Sequence, residues 1–266
     1  MSRIQETFSR LKTEGKRALV PFITAGYPDL QTTRALLPEL ARAGAGLVEL
    51  GVPFSDPVAD GVVIQRASER ALKNRVSVAD VLSVVAEARR ETDVPVVLFS
   101  YYNPLMQFGV ERLGEEAARA GVDGVLVTDL VPEESEQLNS SLARHGLSQI
   151  FLVAPTSTDT RLRMVAERAS GFIYAVSRAG VTGARTELSV EAERLVARVR
   201  GVSSLPVAVG FGITSATQVA EVWRYADAAV VGSAIVAEIE RLAGTPDLVT
   251  RIGDFTRALI PEKNPI

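Results

Sequence analysis

The chain reads as an α/β protein built as a single (β/α)8 barrel spanning residues 1–266, with an extra N-terminal helix and an extra short helix after the eighth strand. Three observations predict this. Eight short apolar runs recur along the chain, each closed by Gly, Pro, Ser, Thr or Asp. Longer segments with helical apolar spacing alternate with them. No linker or composition break divides the 266 residues, a normal length for one such barrel. A doubly wound sheet is the competing arrangement for the same alternation.

The predicted strands are Ala18–Thr24, Gly46–Val52, Val94–Ser100, Gly124–Thr128, Gln149–Ala154, Gly171–Ser177, Pro206–Gly210 and Ala228–Val231. Val, Leu and Ile fill both faces of most of them, as strands covered on both sides require. The predicted helices are Leu30–Ala43, Val78–Arg90, Val110–Ala120, a segment opening at Pro132-Glu133-Glu134, Thr160–Ala169, Glu187–Val199 and Ser215–Arg224. Additional helices are expected at Ile4–Thr13, Val62–Lys73 and Ser233–Leu242, and a last regular one within Pro246–Leu259.

Composition narrows the function. Apolar residues make up 47% and charged residues 23%, enough for one large core and too ordered a mixture for a disordered chain. The net charge of −3 and the absence of a basic run argue against nucleic-acid binding. No apolar stretch is long enough for a membrane helix, and the polar N-terminus is unlike a signal peptide, so a cytoplasmic location is expected. There is no cysteine, one histidine (His145) and four lysines, Lys12, Lys16, Lys73 and Lys263. None of the lysines falls on a predicted strand or strand-end loop, which removes a Schiff-base mechanism. His145 falls at the entry to the fifth strand, where a structural role is expected. No metal site is expected. No G-x-G-x-x-G follows the first strand, so no dinucleotide site is expected either. Acid–base chemistry is left mostly to carboxylates and tyrosines.

Barrel active sites form at the C-terminal ends of the strands. In Val48-Glu49-Leu50-Gly51-Val52, alternation turns Val48, Leu50 and Val52 towards the helices and Glu49 into the barrel mouth. No Arg or Lys in the strand cores is available to pair with it, so burial should raise its pKa and suit it to proton transfer. Asp60, in the loop after the same strand, reads equally well as a functional carboxylate or as a cap for the helix that follows. Asp56 is more peripheral, and Asp129 reads as a loop or helix-start group. Glycines at Gly180–Gly183, Gly210-Phe211-Gly212 and Gly232-Ser233 follow the sixth, seventh and eighth strands. They leave backbone N–H groups open to an anion, and Gly232-Ser233 also opens a helix. Together they point to a phosphate site.

The segment from Glu49 to Gly61, Glu-Leu-Gly-Val-Pro-Phe-Ser-Asp-Pro-Val-Ala-Asp-Gly, closely resembles the signature of the tryptophan synthase alpha chain family. Pro21–Pro28 is similar to that family's first strand, Ser177–Gly183 to its sixth loop, and Gly210–Ile213 and Val231–Val236 to its phosphate turns. The resemblance runs over essentially the whole chain. One local departure is Pro132, three residues after Asp129 rather than two.

The resemblance implies retro-aldol cleavage of indole-3-glycerol phosphate to indole and glyceraldehyde 3-phosphate. It implies that Glu49 moves the protons, that Asp60 binds the indole N–H, and that Tyr174 lies beside Glu49. Phe22, Ile64, Phe99, Tyr101, Leu126, Thr128, Leu152 and Phe211 would wall the indole pocket. Gly183, Gly212, Gly232 and Ser233 would bind phosphate. Loop 6, with Arg178 and Thr182, would close over the substrate, Thr182 touching Asp60. It implies no cofactor in this chain. Pyridoxal phosphate would belong to a beta chain in an alpha2-beta2 heterotetramer, facing Pro53–Asp60 and Asn103–Phe108. A stand-alone lyase and a non-catalytic regulatory subunit are the alternatives; the intact carboxylate pair argues against the second.

Overall fold

The computed structural model describes residues 1–176, 185–210 and 212–262. Eight parallel strands close on themselves in sequence order: β1 (Ala18–Thr24), β2 (Val48–Gly51), β3 (Val96–Ser100), β4 (Gly124–Val127), β5 (Ser148–Val153), β6 (Ile173–Val176), β7 (Val207–Gly210) and β8 (Ala228–Val231). The closed barrel settles the choice against the doubly wound sheet. Nearly every strand residue is buried, because the lumen lies on one side and the helices on the other.

The helices around it are α1 (Arg3–Thr13), α2 (Leu30–Arg42), α3 (Val62–Lys73), α4 (Val78–Ala88), α5 (Tyr102–Phe108), α6 (Val110–Ala120), α7 (Glu136–Arg144), α8 (Asp159–Arg168), α9 (Arg185–Arg200), α10 (Ala216–Trp223), α11 (Ser233–Leu242) and α12 (Leu248–Ala258). Several starts are written into the sequence. Ser2 with Gln5 and Ser77 with Asp80 form reciprocal capping boxes, and Asp29, Thr158 and Ser215 accept from the third backbone N–H beyond them. Pro132 opens a one-turn 3-10 helix, Pro132–Glu134, ahead of α7. The extra helices at both ends of the barrel, α1 and α11, are present, as is α3 between β2 and its regular helix α4.

Strands begin later than the apolar runs suggest wherever the backbone forbids pairing. Pro95 and Pro206 have no N–H to give the ladder, so β3 and β7 start just after them. Gly171 has φ of 80°, incompatible with an extended strand, and β6 starts at Ile173. α5 is not among the predicted helices. Pro104 is the third residue of that helix, where no intrahelical N–H is needed, so the helix forms regardless. Its first N–H, of Tyr102, donates to Asp129 Oδ1 at 2.7 Å. Asp129 is therefore the helix-start group the sequence suggested, serving the neighbouring βα unit.

At the opposite end of the barrel, Asp123 accepts from Val96 N at 2.8 Å, Arg3 Nε at 2.7 Å and an Arg89 guanidinium nitrogen at 2.8 Å. Arg89 also donates to the Gly121 and Val94 carbonyls. Asp227 accepts from Val207 N at 2.9 Å in the same manner. These ties leave the C-terminal rim to the functional loops. His145 caps the C-terminal end of α7 and is exposed, remote from that rim. No helix among the described residues is long and apolar enough to cross a membrane.

Candidate active site

Parallel pairing aligns Phe22 with Glu49 and Glu49 with Val97, which sets Glu49 inside the barrel wall. It is 1% exposed, and its Oε1 has no hydrogen-bond partner among the described residues. Burial raises its pKa to about 8, and among the described residues no cation offsets the lost hydration. A salt bridge would lower that value, and among the described residues no cation pairs with Glu49.

Tyr174 reaches the same space from β6, in register with Leu152 on one side and Ala208 on the other. It is buried, and its hydroxyl is held protonated by burial first and then by the charges of Glu49 and Asp60. Next to it, Gly210 leaves open the room its ring fills.

Asp60 stands above β2 in the loop that leads into α3. The N-cap of α3 is Gly61, with no side-chain cap bond, so the helix-cap reading of Asp60 fails. Its backbone is fixed instead: Asp60 N donates to Pro57 O at 3.0 Å, and Gln65 Nε2 donates to Asp60 O at 2.9 Å. Burial pushes the Asp60 carboxyl up to about 6, against a hydrogen bond from Tyr101 that lowers it. Ala59 N donates to the Tyr101 hydroxyl at 2.9 Å, tying the loop to the start of α5. The Tyr101 hydroxyl is itself pushed up by burial and by the Asp60 charge.

A narrow cleft lies beneath α3, bordered by Phe22, Thr24, Gly51, Val52, Asp60, Ile64, Ser68, Phe99 and Tyr101. Phe22 and Phe99 meet edge to face, with centroids 5.3 Å apart, at its floor. Of the pocket residues taken from the resemblance, Phe22, Ile64, Phe99 and Tyr101 border this cleft. Leu126 is fully buried beside Phe99, Leu152 is half-buried beside Tyr174, and Thr128 is half-buried at the end of β4, donating to Ser100 O at 3.3 Å. Those three do not border the cleft. Thr182, Gly183, Phe211 and Arg178 lie outside the described residues.

The residues missed are Thr24, Ser68, Gly51 and Val52. A signal existed for two of them. Thr24 follows Phe22 at strand spacing, and Ser68 follows Ile64 at helix spacing, so each shares a face with a residue that was chosen.

Gly212 has φ of 88°, a conformation that favours glycine, and ends the turn after β7. Gly232 is the N-cap of α11 and Ser233 its first residue, with no side-chain cap on the helix N-terminus. Its unsatisfied N–H groups and dipole favour an anion. Gly61 lies within 4 Å of the Ser233 hydroxyl, counted from where a Cβ would stand, so the Asp60 loop and this turn adjoin. Among the described residues no group of three or more His, Cys, Asp or Glu side chains is arranged to hold a metal.

The arrangement combines a carboxyl poised near neutrality, a second carboxylate, an aromatic cleft and an uncapped helix N-terminus. Residues 8–257 match the sequence model of the family described as "Tryptophan synthase alpha chain". The chain is 49% identical over 259 residues to the tryptophan synthase alpha chain of Geobacter sp. (strain M21), covering 97% of each. It is 48% identical over 259 residues to that of Solibacter usitatus, again with 97% of each covered. Among solved structures, tryptophan synthase subunit alpha from Legionella pneumophila superposes with a TM-score of 0.90 at 37% identity, over 97% of both chains. A chain of the aminoacrylate-bound tryptophan synthase of M. tuberculosis gives 0.86 at 36% identity, over 97% of this chain and 100% of that one. Whole-length agreement in sequence and fold, joined to this constellation, leads to one conclusion: the chain belongs to the tryptophan synthase alpha chain family.

Proposed function

We propose that this chain, as the alpha subunit of tryptophan synthase in tryptophan biosynthesis, cleaves indole-3-glycerol phosphate to indole and glyceraldehyde 3-phosphate. The observation that carries this reading is Glu49: a buried carboxyl with no cation partner among the described residues, brought by burial to a pKa of about 8, beside Tyr174 and the Asp60 cleft.

A group at that pKa is partly protonated and partly ionised at neutral pH, so it both donates and accepts. The protonated Glu49 gives its proton to indole C3, making C3 tetrahedral and placing positive charge on the ring nitrogen. The Asp60 carboxylate accepts from that N–H and stabilises the charge as it develops. Glu49, now ionised, removes the proton of the glycerol hydroxyl next to the C–C bond. The bond breaks, its electrons return to the ring, and indole and the aldehyde form. Glu49 regains its proton, and no external oxidant or reductant is needed. Tyr174 packs beside Glu49 and the glycerol chain. Phe22 and Phe99 hold the indole face, with Ile64, Leu126, Thr128, Leu152 and Phe211 completing the wall. Phosphate binds to Gly183, Gly212, Gly232 and Ser233.

The partner is the beta chain of an alpha2-beta2 heterotetramer, and pyridoxal phosphate belongs to that chain. The rim favours this reading. Val58, Val62, Met106 and Val131 are 86%, 64%, 47% and 41% exposed, large apolar side chains in the segments that follow β2, β3 and β4. No feature favours a stand-alone lyase. The test is indole release from indole-3-glycerol phosphate with and without a beta chain. Release that rises strongly on adding it supports the subunit reading, and no release in either case removes it.

A further inference from the structure

Four side chains bring polar atoms to the cleft: Thr24, Asp60, Ser68 and Tyr101. Two of the three hydroxyls are committed. Ser68 Oγ donates to Phe54 O and accepts from Phe54 N, which anchors the start of the β2 loop. Tyr101 serves Ala59 N and the Asp60 carboxylate. Thr24 is different. It is 3% exposed, and its Oγ1 has no hydrogen-bond partner among the described residues.

An orphaned buried hydroxyl is uncommon, because burial removes its water without replacement. Packing does not require it, since Val has the same branched shape and would suit the end of β1 without that cost. Thr24 pairs with Gly51, so no β2 side chain stands at that level between it and the cleft. An ionised carboxylate offers about four lone-pair sites. In this site Tyr101 uses one and the substrate N–H a second.

We propose that Thr24 is a positioning residue: in the substrate-filled cleft its hydroxyl donates to the Asp60 carboxylate and holds it towards the indole N–H. This rests on the functional reading above. Among the described residues the titratable groups around Asp60 are Tyr101, which hydrogen-bonds it, and Tyr174, with Glu49 beside Tyr174, and none of them is a cation. A further donor therefore favours the ionised form at low pH.

The test compares wild type, Thr24→Val and Thr24→Ser, each with the beta chain, measuring indole release from pH 5.5 to 8.5. Thr24→Val is expected to lower kcat about tenfold near pH 6 with KM little changed, as loss of one charge-assisted hydrogen bond predicts. Its acid limb should move to higher pH, Thr24→Ser should restore the wild-type profile, and the Val variant should melt no lower than wild type. A Val profile that superimposes on wild type overturns the proposal. So does a pH-independent loss that Ser does not rescue. If Thr24→Val does not fold, Thr24→Ala is held to the same criteria. A wild-type complex that releases no indole defeats the functional reading; an active wild type with an indifferent Val variant defeats only the role of Thr24.

Discussion

The Tyr174 ring occupies the place that a side chain at Gly210 would take. A Cβ built on Gly210 would lie 2.6 Å from Tyr174 Cζ and still closer to the hydroxyl oxygen. Adjacent strands β6 and β7 thus share one volume between a large residue and none, and the position of Tyr174 against Glu49 depends on that division.

Gly210→Ala should therefore displace the Tyr174 ring and cut kcat/KM by at least about tenfold, since small misplacements at a reacting centre are costly. Shrinking the neighbour should recover part of the loss. In a double-mutant cycle with Tyr174→Leu, the two changes should be strongly non-additive. Additive losses would mean that the two residues do not compete for space.

Glu49→Gln should abolish indole release while leaving the fold intact, and it should alter stability in a pH-dependent way. The folded pKa of about 8 stands above the ordinary 4.5. Between those values the folded chain holds a proton that the unfolded chain releases, so this group makes wild-type stability fall as pH rises. Gln carries no such penalty. The variant should gain on wild type as pH goes from 5 to 8, by roughly a few kcal/mol at the upper end. Thermal melts at both pH values measure this. A constant difference would contradict the raised pKa.

Asp60→Asn should lower turnover by about 10²- to 10³-fold, the usual loss for one group that stabilises developing charge. The Asp60 pKa is raised to about 6. Wild-type turnover should accordingly fall as pH drops through about 6, where the carboxylate takes up a proton. The Asn variant should lack that limb. A wild-type profile flat down to pH 5 would exclude a required Asp60 anion.

Asp123→Asn should leave turnover unchanged and lower stability by roughly 1–3 kcal/mol, because it removes the charge partner of the largely buried Arg89 and weakens the hold on Arg3 and Val96 N. Denaturant unfolding with a parallel indole assay separates the two effects. A loss of activity without a loss of stability would refute the structural role.

Much of the architecture is legible because the barrel repeats one local rule. Ala18–Thr24, Ala228–Val231, Val62–Lys73 and Val110–Ala120 have the same ends in sequence and structure, since apolar periodicity there meets clear Gly or Pro punctuation. α5 was not legible: the backbone tolerates Pro104 only because of its place in the first turn, and the cap on Tyr102 comes from Asp129, 27 residues away.

The inward direction of Glu49 was legible in the sequence alone. Strand alternation turns it inwards, and the inventory offers it no strand-core cation. The surroundings of Asp60 and Thr24 are set only by tertiary structure. A loop carboxylate before a helix and a threonine at a strand end are locally indistinguishable from a cap and a packing residue. Only the closed barrel brings α3 over the cleft, leaves Gly61 rather than Asp60 as the helix N-cap, and takes water away from the Thr24 hydroxyl. Local pattern fixes the direction of a side chain, but burial and partnership come from elements distant in the chain, and those two quantities set its chemistry.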